Sequence, residues 1–174
     1  VPEHNSESNI RQRLMLGKRR IVSMIANVTE FKDHETLVAA WRIVRDHYGA
    51  GKPILVLAGH LKDKVTVRRL KLQAFELGLS ADDIRFAGPV DNVSDLISAS
   101  DLVVHSSLTE GCPNAVCEAM ALGCAVVATD IPGCRQALGE SGSRFLAAPR
   151  DAAALAERIL LLLDDARLRT TEGE

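Results

Sequence analysis

The sequence lacks the features that define several large classes of protein. Even its aliphatic run from Ile159 to Leu163 is far shorter than the ~20 residues that span a membrane, and its polar N-terminal region has no signal-peptide core. It also lacks a basic excess: 21 basic and 23 acidic side chains give a formal charge of −2, which argues against nucleic acid as a partner. We therefore expect a cytoplasmic globular domain, since 174 residues can bury a full core.

Cysteine pairs with the spacing of a zinc site are missing as well. The chain has 4 cysteines, all within one segment and without a CxxC pair: Cys112, Cys117, Cys124 and Cys134. This pattern is neither a disulfide framework nor a metal site. We interpret the four as small buried apolar residues.

Three common catalytic motifs are absent. There is no GxGxxG fingerprint, and the first predicted strand is followed by Asn27-Val28-Thr29 without a glycine, so an ordinary NAD site is excluded. There is also no GxSxG elbow, and the five histidines form no HExxH or other close pair. The sequence therefore predicts neither a bound metal nor a redox cofactor.

The sequence does contain an alternation of β-branched runs and helical patterns over residues 20–174. A polar stretch, residues 1–19, precedes it, and we interpret this stretch as a linker or a remnant of a missing N-terminal domain. The alternation is typical of βα units. It predicts an α/β fold, a doubly wound parallel sheet of about six strands with helices on both faces, in a Rossmann-like domain. The predicted strands are Arg20–Ala26, Ile54–Leu57, Ile84–Ala87, Leu102–His105, Ala125–Thr129 and, more weakly marked, Arg144–Ala147.

Ligands of such sheets bind beyond the carboxyl ends of the strands. Directly after the fourth predicted strand, Gly111 and Pro113 form a turn that opens a helix predicted from about Pro113 to Leu122. Free backbone N–H groups at that helix start would form an anion site. Because the helix is apolar all round, we expect it to be sandwiched between other elements.

Glu118 is the only charged residue between Gly111 and Thr129. A buried carboxylate there needs a partner, which is either a ligand, a backbone amide of a neighbouring loop, or solvent at the helix end. If the segment were helical throughout, Glu110 would lie about 12 Å from Glu118, which suits two contacts with one elongated ligand. Lys32 is the nearest cation at the same edge of the sheet. The basic run in the helix from about Lys62 to Leu77 is interpreted as a solvated face.

Together these residues resemble the C-terminal, donor-binding domain of the group 1 (family 4) retaining glycosyltransferases, which have the GT-B fold. The resemblance covers about residues 20–165 and depends chiefly on the EX7E motif in its setting. The matching pieces are Ser107–Asn114, Glu118–Gly123, Val126–Asp130, Phe31–His34, Arg85–Gly88 and Asp151–Ala156.

The resemblance implies a role for each residue of a site that binds a nucleoside-diphosphate sugar. Glu110 would contact hydroxyls of the donor sugar, Glu118 would bind the ribose hydroxyls, and Lys32 would neutralise the diphosphate. Lys32 and Glu110 would be the catalytic residues. The remaining donor-binding positions implied are the backbone of Gly111, Cys112, Pro113 and Asn114, the loop with Phe86 and Gly88, and the strand ends at Asn27 and Gly59. The family often has a GR pair where this chain has Ala26-Asn27, and GG or GxG where it has Gly59-His60.

The implied reaction is retaining glycosyl transfer, without a metal ion or cofactor, to a polysaccharide, lipopolysaccharide or glycolipid. The acceptor-binding N-terminal half is missing, so we expect no turnover by this chain alone, and association with the inner face of a membrane only through that half. Two alternatives remain open. One is a non-catalytic sugar-nucleotide-binding module, and the other is a fragment of a GT-B nucleotide-sugar epimerase.

Overall fold

A computed structural model of the chain describes residues 6–49 and 53–173. The helices are α1 (Ser6–Arg13), α2 (His34–Tyr48), α3 (Lys64–Glu76), α4 (Val93–Ala99), α5 (Asn114–Ala121), α6 (Pro132–Leu138), α7 (Ala152–Asp164) and α8 (Ala166–Gly173). The strands are β1 (Arg20–Ile25), β2 (Pro53–Ala58), β3 (Ile84–Gly88), β4 (Leu102–His105), β5 (Val126–Thr129) and β6 (Leu146–Ala147).

The strands form one six-stranded sheet in the order β3-β2-β1-β4-β5-β6, and all its strand pairs are parallel. The prediction of a doubly wound α/β fold is therefore confirmed. The chain winds outward from β1 in one direction and from β4 in the other, so the switch point lies between these two strands. The carboxyl ends of β1 and β4 diverge into loops there, which makes this the expected place for a ligand.

Helices cover both faces of the sheet, so the central strands β2, β4 and β5 are buried on both sides. On one face, α2, α3 and α7 pack around residues such as Trp41, Leu70 and Ile159. On the other face, α4, α5 and α6 pack over β4 and β5 around Val116 and Cys134. The packing fixes the sheet and leaves the loops at its carboxyl edge free to build a site.

Side-chain caps explain where several helices begin. Asp33 accepts a hydrogen bond from the backbone of Thr36 at the start of α2, and Asp63 accepts from Val65 and Thr66 at the start of α3. Each cap satisfies N–H groups that have no partner inside the helix. Asp33 itself adopts a left-handed conformation (φ 47°), which turns the chain sharply from the 3₁₀ turn at Glu30–Lys32 into α2. This turn places Lys32 at the carboxyl edge.

Residues 6–19 fall in the stretch interpreted as a linker or remnant, and they pack onto the domain. Ile10 and Leu16 are buried, and the Arg11 guanidinium donates to the carbonyl of Ala99 at 2.8 Å. Ile10 is the one apolar residue of α1, which is too few to give a detectable period, so the sequence did not reveal this helix. Residues 1–5 lie outside the described part, and a preceding domain stays a prediction.

Two further predictions need correction. The sixth strand is shorter than expected, because Ser141–Phe145 form a 3₁₀ turn and only Leu146–Ala147 pair with β5. Of the cysteines, only Cys124 and Cys134 are buried, whereas Cys112 and Cys117 are exposed. Within the described ranges, no helix combines the length and apolar character needed to cross a bilayer.

Candidate functional site

A cavity of about 440 Å³ lies at the carboxyl edge of the sheet, beside the switch point. Eight of the sequence-predicted site residues line it: Asn27, Lys32, Gly59, Glu110, Cys112, Pro113, Asn114 and Glu118. Three others do not, namely Gly111, Phe86 and Gly88. A neighbouring cavity of about 480 Å³ between α2 and α3 is lined by none of the predicted residues. The sequence prediction therefore favours the 440 Å³ cavity as the candidate site.

Glu110 is the centre of a polar cluster in this cavity. Its Oε1 atom accepts hydrogen bonds from the Lys32 ammonium and from the Ser107 hydroxyl, the latter at 2.9 Å, and lies 3.1 Å from Nε2 of His105. Its second oxygen, Oε2, has no hydrogen-bond partner among the described residues. The two predicted catalytic side chains are therefore in contact, although 78 residues separate them.

Titration of this cluster follows from burial and charge. Partial burial raises the pKa of Glu110, but the hydrogen bonds from Lys32 and Ser107 outweigh it and hold the pKa below its ordinary value of 4.5. Burial is also the main cause of the lowered pKa of His105, and Lys32 adds to it while Glu110 opposes it. Burial lowers the pKa of the nearby His34 to about 4. At neutral pH the cluster is an anion paired with one cation, beside neutral imidazoles.

The loops after the first three strands are tied together by backbone contacts. Gly59 has φ +145°, and a Cβ atom there would lie 2.1 Å from the carbonyl oxygen of Ala26. Its N–H donates to Gly88 at 2.9 Å, and the next residue, His60, donates its N–H to Oδ1 of Asn27 at 2.9 Å. Only glycine permits this close approach. The side chain of Asn27 thus organises the cavity wall through its amide oxygen.

The start of α5 forms another wall of the cavity. The helix begins after Pro113, and no side chain caps it. In its first turn the N–H groups of Asn114, Val116 and Cys117 donate to the carbonyls of Cys112 and Pro113, so among the described residues the Ala115 N–H is the one left without an acceptor and available to a ligand. The Glu110–Gly111 turn before it is held by α6, because Gly133 approaches so closely that a Cβ atom there would lie 2.6 Å from the Glu110 carbonyl oxygen. Since the segment from Glu110 to Pro113 is a turn, the spacing expected for a continuous helix does not apply.

Glu118 is exposed, which corrects the expectation of a buried carboxylate. It lines the cavity, and its carboxylate makes no hydrogen bond or ion pair with any of residues 6–49 and 53–173. The helix that carries it is not sandwiched either: Met120 is 39% exposed, Leu122 is 45% exposed, and only Val116 and Ala119 of α5 are buried. The apolar residues of α5 extend around more of the helix than the face that packs against its neighbours. Glu118 is therefore free to contact a ligand.

Phe86 lies outside the cavity. Its ring is partly buried against the core, and the Lys71 ammonium lies 5.6 Å from the ring centroid. The residues of this loop that line the cavity are Pro89 and Val90.

Sequence reasoning missed three residues that organise the site, namely His105, Ser107 and Gly133. His105 is the last residue of β4, and Ser107 follows two residues later, so their position between a buried strand and Glu110 was the available signal. Gly133 gave no signal, because its role depends on contact between two loops. In the described part of the chain, no group of three or more His, Cys, Asp or Glu residues is arranged to hold a metal ion.

The fold and the site define a class: a Rossmann-like domain of the GT-B type, with a carboxylate, a lysine and an uncapped helix start at the switch point of its sheet. The family model described as "Glycosyl transferases group 1" matches residues 19–165, and the chain belongs to this family. The resemblance inferred from the sequence is confirmed.

Named relatives give the same result. The chain is 29% identical over 156 residues to an N,N'-diacetylbacillosaminyl-diphospho-undecaprenol alpha-1,3-N-acetylgalactosaminyltransferase of Campylobacter jejuni, which covers 90% of this chain and 39% of that protein. It resembles the structure of Anabaena Alr3699/HepE in complex with UDP and glucose, with a TM-score of 0.85 and 26% identity over 97% of this chain and 45% of that one. The fold also matches WaaG, a glycosyltransferase of lipopolysaccharide biosynthesis (TM-score 0.78, 19% identity, 99% of this chain and 45% of that one). The chain thus spans less than half the length of these relatives.

Proposed function

We propose that this chain is the donor-binding half of a retaining, metal-independent glycosyltransferase that uses a nucleoside-diphosphate sugar. The main support for this proposal is one cavity at the switch point. It is lined by the Lys32–Glu110 pair, the uncapped start of α5 and the free carboxylate of Glu118. The likeness to a structure solved with UDP and glucose supports the same ligand class.

The diphosphate of the donor would lie between Lys32 and the start of α5. The ammonium and the helix N-terminus each stabilise negative charge, and the charge on the diphosphate increases as the glycosidic bond breaks. Both groups are held in place before the ligand arrives, Lys32 by Glu110 and the helix by its packing on β4 and β5. The chain therefore supplies the charge compensation that a metal ion provides in other transferases.

Glu110 would contact the sugar through Oε2. Its Oε1 atom is occupied by Lys32, Ser107 and His105, so the carboxylate is fixed in orientation while its second oxygen remains available to a hydroxyl. A hydroxyl bound to a carboxylate makes one of the stronger hydrogen bonds in proteins. Glu118, which is exposed and unpaired, would accept hydrogen bonds from the two ribose hydroxyls at the other end of the ligand.

The nucleobase would meet the loop after β3. Pro89 and Val90 of this loop line the cavity, and Gly88 has φ +70°, which allows the chain to turn there. Neither side chain can donate or accept a hydrogen bond, so the base would be recognised by main-chain groups. This arrangement fits a flat ring without selecting one base by side-chain chemistry.

Catalysis would require the other half of the protein. The relatives are more than twice as long as the chain, and the names of three refer to a diphospho-undecaprenol acceptor, teichuronic acid biosynthesis and amylovoran biosynthesis. By analogy, the acceptor is a cell-surface polysaccharide, a lipopolysaccharide or a glycolipid, handled at the cytoplasmic side of the membrane. The chain alone would bind the donor without turning it over.

Calorimetric titration with UDP, GDP and ADP at low salt tests donor binding. We expect at least one of the three to bind, and Glu118→Ala to weaken that binding by about ten- to a hundredfold, since the loss of hydrogen bonds to a charged group costs about 1.5–3 kcal/mol. Glu140→Ala, which removes an exposed carboxylate outside the cavity, is the matched control and should not change the affinity. Absence of binding by the unaltered chain to all three nucleotides contradicts the proposal.

A non-catalytic sugar-nucleotide-binding module is the second candidate, and one observation favours it. Lys32 is the only lysine or arginine that lines the described cavity, because Asn27 stands where the family often has arginine. Weaker stabilisation of the leaving group would leave binding intact and slow the transfer. Joining the chain to its acceptor-binding half and measuring both donor binding and transfer distinguishes the two candidates, since the module would bind without transferring.

A further inference from the structure

Helix α3 presents apolar side chains to solvent on the side opposite its buried face. Its buried residues are Thr66, Val67, Leu70 and Ala74. At ~100° per residue, Val65, Leu72 and Phe75 lie on the other side of the helix. They are 75%, 53% and 80% exposed, and none of them lines either cavity at the carboxyl edge.

Cations surround these three side chains. Lys64 and Arg68 are exposed on the same side of the helix, and Lys71 is exposed at its edge, with its ammonium 5.6 Å from the centroid of the Phe86 ring. None of the three has a carboxylate within 4 Å among the described residues. Residues 62–76 carry five basic and two acidic side chains, whereas the chain as a whole has a net charge of −2. One of those two acids, Asp63, caps the helix. We call Val65, Leu72, Phe75 and the cations Lys64, Arg68 and Lys71 the α3 outer face.

We propose that the α3 outer face docks on a membrane surface that contains anionic lipid. A helix with exposed apolar side chains flanked by lysine and arginine is suited to the headgroup region, where apolar groups enter the acyl boundary and cations meet phosphates. The face is a convex helix surface rather than a groove, which fits a deformable lipid surface. A second copy of the chain is disfavoured, since it would bring two sets of like charges together.

The position of α3 would place the candidate site near the membrane when the α3 outer face docks. The helix begins six residues after β2 ends, and thus starts at the carboxyl edge of the sheet, where the candidate site lies. Docking would hold the site close to the lipid surface without a contribution from any other part of a longer protein. This inference goes beyond the proposed function and does not depend on it, and it adds a membrane contact beside the one expected through a missing half.

Vesicle co-sedimentation of the 174-residue chain is the test. We expect binding to vesicles of phosphatidylcholine with phosphatidylglycerol, little binding to phosphatidylcholine alone, and a decrease as ionic strength rises above about 0.15 M. The triple variant Lys64→Gln/Arg68→Gln/Lys71→Gln should weaken binding about fivefold for each cation removed. Equal binding to both kinds of vesicle would overturn the electrostatic basis of the proposal.

The apolar component is tested by Val65→Ser/Leu72→Ser/Phe75→Ser, which should abolish binding. The matched control is Ile43→Ser/Leu161→Ser, two side chains that are each 42% exposed on other helices, and it should bind as the unaltered chain does. Thermal unfolding checks that every variant folds. The proposal fails if the unaltered chain does not bind anionic vesicles, or if the serine variant binds equally well. It fails too if light scattering shows a dimer that the serine variant abolishes while vesicles are not bound.

Discussion

The contact between Lys32 and Glu110 should contribute measurably to the stability of the fold. The side chains are 28% and 13% exposed, so their interaction falls between an exposed ion pair, worth 0.2–1 kcal/mol, and a buried one, whose disruption costs about 3–5 kcal/mol. We expect a coupling free energy of about 2 kcal/mol in a double-mutant cycle of Lys32→Met and Glu110→Gln. Glutamine keeps an acceptor for Ser107, so the cycle isolates the charge interaction.

Urea unfolding of the four proteins at pH 7 measures this coupling. The exposed pair Arg42–Asp46, with side chains 40% and 49% exposed, is the control and should give less than about 0.5 kcal/mol. Because the folded-state pKa of Glu110 is lowered, the stabilisation is complete above its unfolded value of 4.5 and is lost as the pH falls through the folded value. A coupling no larger than that of the control pair at pH 7, or one unchanged in acid, would refute the reasoning.

Three other predictions concern the glycine contact, a buried imidazole and the thiols. Gly133→Ala should destabilise the fold by about 1–3 kcal/mol and weaken nucleotide binding, because the new Cβ atom would meet the Glu110–Gly111 turn. The control Gly111→Ala, which has open space around it, should have little effect in urea unfolding and in nucleotide titration. Burial lowers the pKa of His34 from 6.5 to about 4, so the free energy of unfolding should fall by up to about 3 kcal/mol as the pH decreases through this range. His34→Gln should flatten this pH dependence in urea unfolding. A thiol reagent should modify Cys112 and Cys117 rapidly in the native protein and the other two cysteines only after unfolding; four equally fast thiols would contradict the burial described.

The sheet was predictable because its signal is local. Each central strand is a short β-branched run, so the bounds of β4 agree with the prediction to the residue. The helices α4 and α6 have only seven residues each, too few for a clear period, and they were not predicted. The prediction that Glu118 is buried was wrong for a similar reason. An apolar sequence does not reveal how much of a helix is covered by its neighbours.

The sequence by itself determined the class of fold, the edge of the sheet that carries the site, and the segment from Glu110 to Glu118, because these depend on patterns within about ten residues. Only the tertiary structure decided that Lys32 contacts Glu110, that His105 and Ser107 orient the same carboxylate, and that Gly133 supports its loop. Such contacts join segments far apart in the chain. They exist because the sheet order places β1 directly beside β4, an arrangement set by the packing of the whole domain rather than by any local stretch.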